Sequence, residues 1–467
     1  MTQTGSLMGF VHRRRRGAEL FLLVLALAVG IGAYAAVGLG VDGDVPADLV
    51  GYGGWLAALI VAAHVTVRLV APYADPVLLP LVAALNGLGL AVIHRLDLAY
   101  DAAGRDTPVF ARQQLIWMTL GVVLFIVTLG LLRDHRVLQR FTYTSGLVGI
   151  ALLILPFLPL VGRNINGARI WINVAGFSFQ PGEVAKVLLV IAFAGYLVLH
   201  RDALALAGRR VLFVDLPRGR DLGPILAMFG VSMMILVLQN DLGSSLLFFG
   251  LFLAMLYVAT ERPGWLVVGG LLFGLGAVAA YTFVGNVKNR FNFWLHPMDY
   301  YDQSPGSGQL VEGLFGMAFG GLIGQGFGSG SPERVPYAES DFIIASIGEE
   351  LGLTAVMAVI LCYGLIVERA FRIALISRDG FGKLVAVGLG SIVALQVFVV
   401  IGGVTGLIPL TGLTTPFLSY GGSSLVANWV IVALLLRISD QARRPVPRME
   451  PATHDAGSET TQVVKVR

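Results

Sequence analysis

Blocks of about twenty consecutive apolar residues recur along the whole chain, and they leave it few folds. The hydrocarbon core of a bilayer is about 30 Å thick and takes about 20 apolar residues of helix to cross. Backbone polar groups cannot go unpaired there, so a spanning segment is either a helix or part of a closed barrel. These runs are too long and continuous for barrel strands. Twelve spans are expected, at 18–40, 53–71, 76–93, 113–132, 142–160, 182–199, 223–240, 242–260, 265–284, 342–367, 384–406 and 423–438. A mean hydropathy of +0.78 and only 13% charged residues exclude an ordinary soluble domain. The expected fold is an all-α polytopic membrane protein with about twelve transmembrane helices.

Charge sets the orientation. The run His12-Arg13-Arg14-Arg15-Arg16 precedes the first span and places the N-terminus in the cytoplasm. Alternation then puts 133–141, 200–222 and 368–383 on the cytoplasmic side, together with most of the 33 Lys and Arg residues. The first span is too long for a cleaved signal and lacks a clear cleavage site, so it is read as retained. A net charge of +4 implies membrane orientation rather than nucleic-acid binding. The single Cys362 excludes an intrachain disulfide and reads as a small core residue. The glycine-rich stretch 311–327 is read as re-entrant or surface-lying. If it crossed, Arg369, Arg372, Arg378 and Lys383 would face outside. Residues 441–467 are polar and are expected to form a disordered cytoplasmic tail.

The polar chemistry then collects on the outer side, in 161–181, at Gln239-Asn240-Asp241, in the large loop 285–341 and in 405–422. Four segments on one face point to a shared extracytoplasmic site. Glu183 and Lys186, just after Pro181, either pair at i, i+3 or face an anionic ligand together with Arg163 and Arg169. Asp241 reads first as a helix N-cap, and Asp341 is likewise expected to cap the next span. Glu349 and Glu350 lie inside that span, where a carboxylate needs a partner or a cavity. Asp299 and Asp302 follow the aromatics Phe291, Phe293 and Trp294 and flank Tyr300-Tyr301. Either could be a solvated loop acid or a group that meets a sugar headgroup at the membrane boundary.

At these residues the chain resembles the SEDS family (shape, elongation, division and sporulation), which includes RodA and FtsW. The matching strings are NGARIWINVAGFSFQPGEVAK (166–186), LQNDLGSS (238–245), PGSGQ (305–309), SDFIIASIGEELG (340–352) and PFLSYGGSS (416–424). They fall in the family's order and cover about 76–438. ATERPGW and the wording of the large loop lie closer to actinobacterial RodA than to FtsW. The resemblance divides the chain into a basic N-terminus with two added helices (1–72), a ten-helix core (73–440) containing the 285–341 loop, and the tail.

What the resemblance implies is a peptidoglycan glycosyltransferase. Such an enzyme polymerises lipid II at the outer face of the cytoplasmic membrane for elongation and shape, beside a class B penicillin-binding protein. The family's essential carboxylate falls on Asp302, seven positions before Gln309. Here the string DQSPGSGQ lacks the family's adjacent proline and its tyrosine, Asn240 replaces a common proline, and Gly182 replaces a common serine. The candidate substrate-binding residues are Arg163, Arg169, Lys186, Glu183, Gln309, Glu350 and Ser423. No cofactor is required by the sequence, although a divalent cation such as Mg or Mn could assist the leaving diphosphate. The rival readings are a lipid II flippase, a noncatalytic scaffold, and an FtsW-type role in division.

Overall fold

The computed structural model describes residues 15–445, apart from 160, 166–167, 175, 202–208, 212–213 and 217–218. Apolar helices occupy all twelve expected positions. They are α1 (Arg16–Val41), α2 (Leu49–Val70), α3 (Leu78–Ala102), α4 (Phe110–Leu131), α5 (Thr142–Ile154, continued at both ends by 3-10 turns), α6 (Pro181–Leu199), α7 (Gly219–Leu238), α8 (Leu242–Thr260), α9 (Gly264–Phe283), α12 (Ile343–Ile376), α13 (Gly380–Val404) and α14 (Gly422–Arg443). Among the described residues, eleven of these units are long and apolar enough to cross a bilayer; the described apolar part of α7, Gly223–Leu238, is shorter. Two further helices, α10 (Gly285–Leu295) and α11 (Gly308–Gly320), lie within the large loop.

Local chemistry sets many helix starts. Pro181 opens α6, where its missing N–H costs nothing. Asp241 caps α8 by accepting from Ser244 N at 2.9 Å, as expected. Asp379 caps α13 by accepting from Gly382 N at 2.7 Å. Asp97 of α3 accepts from Phe110 N and Ala111 N at 2.9 and 2.8 Å, so α4 is capped by a neighbouring helix. The expectation for Asp341 is corrected. Phe342 holds the N-cap position of α12, and no side-chain cap bond forms there.

Helices α3, α6, α13 and α14 are mostly buried and form the centre of the bundle, whereas α9 is almost wholly exposed along its apolar length. Trp429 of α14 is fully buried, with Phe125 edge-on at 5.4 Å and Phe417 at 6.2 Å. At one end of the bundle the 71–75 linker is stitched to α14. Asp440 accepts from Tyr73 N at 2.9 Å, Ser439 Oγ accepts from Asp75 N at 3.0 Å, and Arg443 pairs with Asp75 at 2.7 Å. Helix α14 runs to Arg443, so the tail begins later than expected; residues 446–467 lie outside the described residues.

The stretch 311–327 does not cross. Helix α11 has 13 residues, about 20 Å of helix, and a loop follows it. That loop inserts into a break in α12 at Gly352, where φ is 78° and ψ 176°. The freed Glu349 and Glu350 carbonyls accept from Gln325 N and Gly326 N at 3.1 and 2.8 Å. Leu353 N and Thr354 N donate to the Gly321 and Leu322 carbonyls at 2.9 and 3.2 Å. The helix thus exchanges its own hydrogen bonds for bonds to the loop, which lets irregular backbone sit inside the protein.

Strands appear where only an outer loop was expected. β1 (Gly162–Ile165), β2 (Ala168–Val174) and β3 (Phe177–Phe179) form an antiparallel sheet, with Arg163 opposite Trp171 and Asn173 opposite Ser178. A two-stranded hairpin, β4 (Arg209–Val211) and β5 (Val214–Leu216), lies between α6 and α7.

Candidate active site

A cleft of about 890 Å³ opens at one end of the bundle, and all four polar segments singled out in the sequence meet in it. The β-sheet supplies Ala168, Ile170 and Trp171. The α7–α8 junction supplies Asn240 and Asp241. The large loop supplies Arg290, Phe293, Trp294, Gln309, Glu339 and Asp341. The 405–422 segment supplies Thr411, Thr414 and Tyr420, and Gln113 and Trp117 of α4 complete the wall.

Helix α10 is fastened to the 405–422 segment by two donors one turn apart. Arg290 Nη1 donates to the Leu410 and Thr411 carbonyls at 2.9 and 3.1 Å, and Trp294 Nε1 donates to the Gly406 carbonyl at 2.7 Å. Arg290 is the only Lys or Arg among the described residues that line the cleft. Burial lowers its pKa, while Asp241 and Asp341 hold its charge. Burial also raises the Asp241 carboxyl and lifts Asp341 to about 6. Glu339 accepts from Tyr100 OH at 2.8 Å, and its carbonyl accepts from Tyr420 N at 2.7 Å. Asn240 sits at φ 59°. Asparagine tolerates that conformation, and proline, held near −65°, could not adopt it.

The residues named from sequence are distributed around this cleft. Gln309 lines it and donates to the Pro336 carbonyl at 2.9 Å. Asp302 is exposed on a turn, with Pro305, Gly306 and Ser307 of the cleft wall just beyond it. Its neighbour Tyr301 donates to Glu312, which raises the phenol pKa. Arg163 and Arg169 are exposed on β1 and β2, while Ala168 and Ile170 beside Arg169 face the cleft. Lys186 and Glu183 form the i, i+3 pair, buried, at 2.5 Å. Lys186 also donates to Gln396 Oε1 at 3.0 Å, and Gln396 donates to the carbonyl of the lining residue Thr414 at 2.7 Å. The pair therefore lies one layer behind the wall. Ser423 is buried just past the lining Gly421 and Gly422. Glu350 lies away from the cleft. Its carboxylate accepts from Arg95 Nε at 2.8 Å and from Gly328 N at 3.2 Å, which supplies the partner an intramembrane acid requires. Among the described residues no group of three or more His, Cys, Asp or Glu is placed to hold a metal ion.

Residues 76–444 match the sequence model of the cell cycle proteins FtsW, RodA and SpoVE. The chain is 46% identical over 455 residues to the peptidoglycan glycosyltransferase RodA of Mycobacterium tuberculosis, covering 96% of each chain. It is 31% identical over 370 residues to a probable peptidoglycan glycosyltransferase FtsW of Trichlorobacter lovleyi, covering 78% of this chain and 93% of that one. A solved structure described as the structural coordination of polymerization and crosslinking by a peptidoglycan synthase complex is similar with a TM-score of 0.63 and 27% identity. It covers 79% of this chain and 98% of that chain.

Proposed function

We propose a reaction geometry for the cleft, proceeding from the fact that this chain belongs to the SEDS family of FtsW, RodA and SpoVE proteins and is a multi-pass membrane peptidoglycan glycosyltransferase of the RodA type. Its substrate is lipid II, and the cleft end of the bundle faces outside the cytoplasmic membrane. One observation carries this reading. Four segments far apart in sequence build a single cleft whose wall holds one guanidinium, several carboxylates and aromatic side chains.

The acceptor sugar presents its 4-hydroxyl and the growing donor strand leaves undecaprenyl diphosphate. Asp302 acts from the cleft rim as the general base or orients that hydroxyl, and such help is worth typically about 10²–10⁴-fold. The leaving diphosphate gains charge as the bond breaks. Arg290 is the cation best placed to meet it, since its planar fork of donors suits phosphate oxygens. Lys186, one layer behind, supports the floor through Gln396. Arg169 and Arg163 on the exposed sheet add positive charge at the entrance. Attack opposite the leaving group turns the α-linked donor into a β-linked product. Holding two lipid-anchored reactants in one cleft also lowers the entropic cost of their encounter.

A class B penicillin-binding protein docks on the outer faces of the spans nearest 285–341. Apolar faces gain nothing from the hydrophobic effect in lipid, so close packing of small residues carries that contact. The test is to incubate the purified protein, with and without its partner, with lipid II in vesicles. Glycan polymer supports the reading. Movement of intact monomer across the bilayer without polymer would make the protein a flippase.

A further inference from the structure

Helices α1 and α2 lie outside the stretch that matches the FtsW, RodA and SpoVE model, yet specific contacts tie both of them to helices of the core. Helix α1 meets α3 backbone to backbone: a Cβ added at Gly30 would lie 2.8 Å from the Gly87 Cα. Apolar contact has no driving force in lipid, so glycines that let backbones touch are what hold such a pair. Polar contacts close both ends. Glu19 takes Arg16 and, at 2.7 Å, His64 Nδ1, and Arg16 reaches the Ala74 carbonyl. At the other end Tyr34 OH donates to Asp48 at 2.8 Å and stacks between Tyr52 and His94.

The last turn of α1 touches the insert that breaks α12. Gly40 lies so close to the Phe327 carbonyl that no Cβ fits, and Gly328, at φ +86°, packs just as closely on the Gly40 carbonyl. The same few residues are tied to the bundle. Gly328 N donates to Glu350 at 3.2 Å, the Gly330 carbonyl accepts from Arg95 at 3.2 Å, and Ser331 N donates to Glu349 at 2.7 Å. The chain then turns through the buried Val335 and Ala338 into Glu339 and Asp341 of the cleft wall.

We propose that the α1–α2 pair is a brace for the active site, with Gly40 and Gly328 as positioning residues that seat the 321–331 insert and through it the Glu339–Asp341 wall. The proposal rests on the reading of that cleft as the site of polymerisation. A helix pair that served only as a membrane anchor would not need its end backbone locked to a loop of the core.

The test is Gly40→Ala in the full chain, with Gly32→Ala as control, because Gly32 on the same helix has open space around it. Alanine is the better helix former, so an anchoring helix would tolerate both changes equally. The brace predicts faster hydrogen–deuterium exchange at the amides of Gly326, Gly328 and Ser331 in Gly40→Ala alone. It also predicts a fall in lipid II turnover on the order of ten- to a hundredfold, with KM within about twofold. Exchange and turnover equal to the control would overturn the brace. Faster exchange with unchanged turnover would show a contact that does not reach the cleft, and would overturn the positioning role. If the unaltered protein makes no polymer, the function reading fails while the exchange comparison still reads the contact.

Discussion

At the residue scale, the cleft separates two kinds of charged group that look alike in a sequence. Lys186 is spent on Glu183 and Gln396, whereas Arg290 stands in the wall. Lys186→Gln leaves a buried carboxylate without its cation, which costs about 3–5 kcal/mol, so its main effect should be a lower melting temperature. Arg290→Gln should instead lower kcat/KM for lipid II about tenfold or more, since a charge-assisted contact is worth about 1.5–3 kcal/mol. Melting curves and lipid II turnover with both variants separate the two outcomes. Asp341 makes a pH prediction. Its folded pKa, about 6, lies above the usual carboxylate value because burial disfavours the anion. Its contribution to stability is therefore full at low pH and declines as pH rises from about 4 to 6, by at most about 3 kcal/mol. Asp341→Asn should gain melting temperature relative to the unaltered protein across that window, and a parallel pair of melting curves would refute it.

At the scale of elements, much of the frame was legible. Every expected span position holds a helix because apolar length in a bilayer admits little else. The Pro181 start and the Asp241 cap were legible because both are local chemistry. The β1–β3 sheet was missed, although the short β-branched and aromatic run Ile170-Trp171-Ile172, between glycine- and asparagine-rich flanks, was its signal. Arg290 was missed because 285–295 reads as loop. Its i, i+4 spacing to Trp294 shows a purpose only once the segment is helical and carbonyls lie beneath it. Glu350 announced its need for a partner, but Arg95 lies 255 residues away and only the fold joins them. The break in α12 yields a further prediction. Gly352 sits at a φ that suits glycine, with the backbone of Ile323 and Gly324 against it. Gly352→Ala should cost about 1–3 kcal/mol and loosen the 321–331 insert, as read by denaturation and by exchange at Leu353 and Thr354. Unchanged protection there would mean that the inserted loop does not depend on the break.

At the scale of the whole molecule, helix alternation gathers the cleft segments at one end and the Asp75–Arg443, Tyr73–Asp440 and His135–Asp379 contacts at the other. The basic segments 133–141 and 368–383 fall at that second end, so we propose that it faces the cytoplasm. Single cysteines at Gln303 and Val137, both exposed, in a Cys362→Ala background test this. An impermeant thiol reagent on spheroplasts should label the first and spare the second. The reverse pattern would put the cleft in the wrong compartment for glycan synthesis. The similarity to a solved structure of a peptidoglycan synthase complex is consistent with the crosslinking partner proposed above. The most direct test of the polymerising chemistry is polymer formation from lipid II by Asp302→Asn beside Asp299→Asn, each in complex with the partner. The account predicts folded, partner-bound Asp302→Asn that makes no polymer and Asp299→Asn that still does. Near-normal polymer from Asp302→Asn would contradict it.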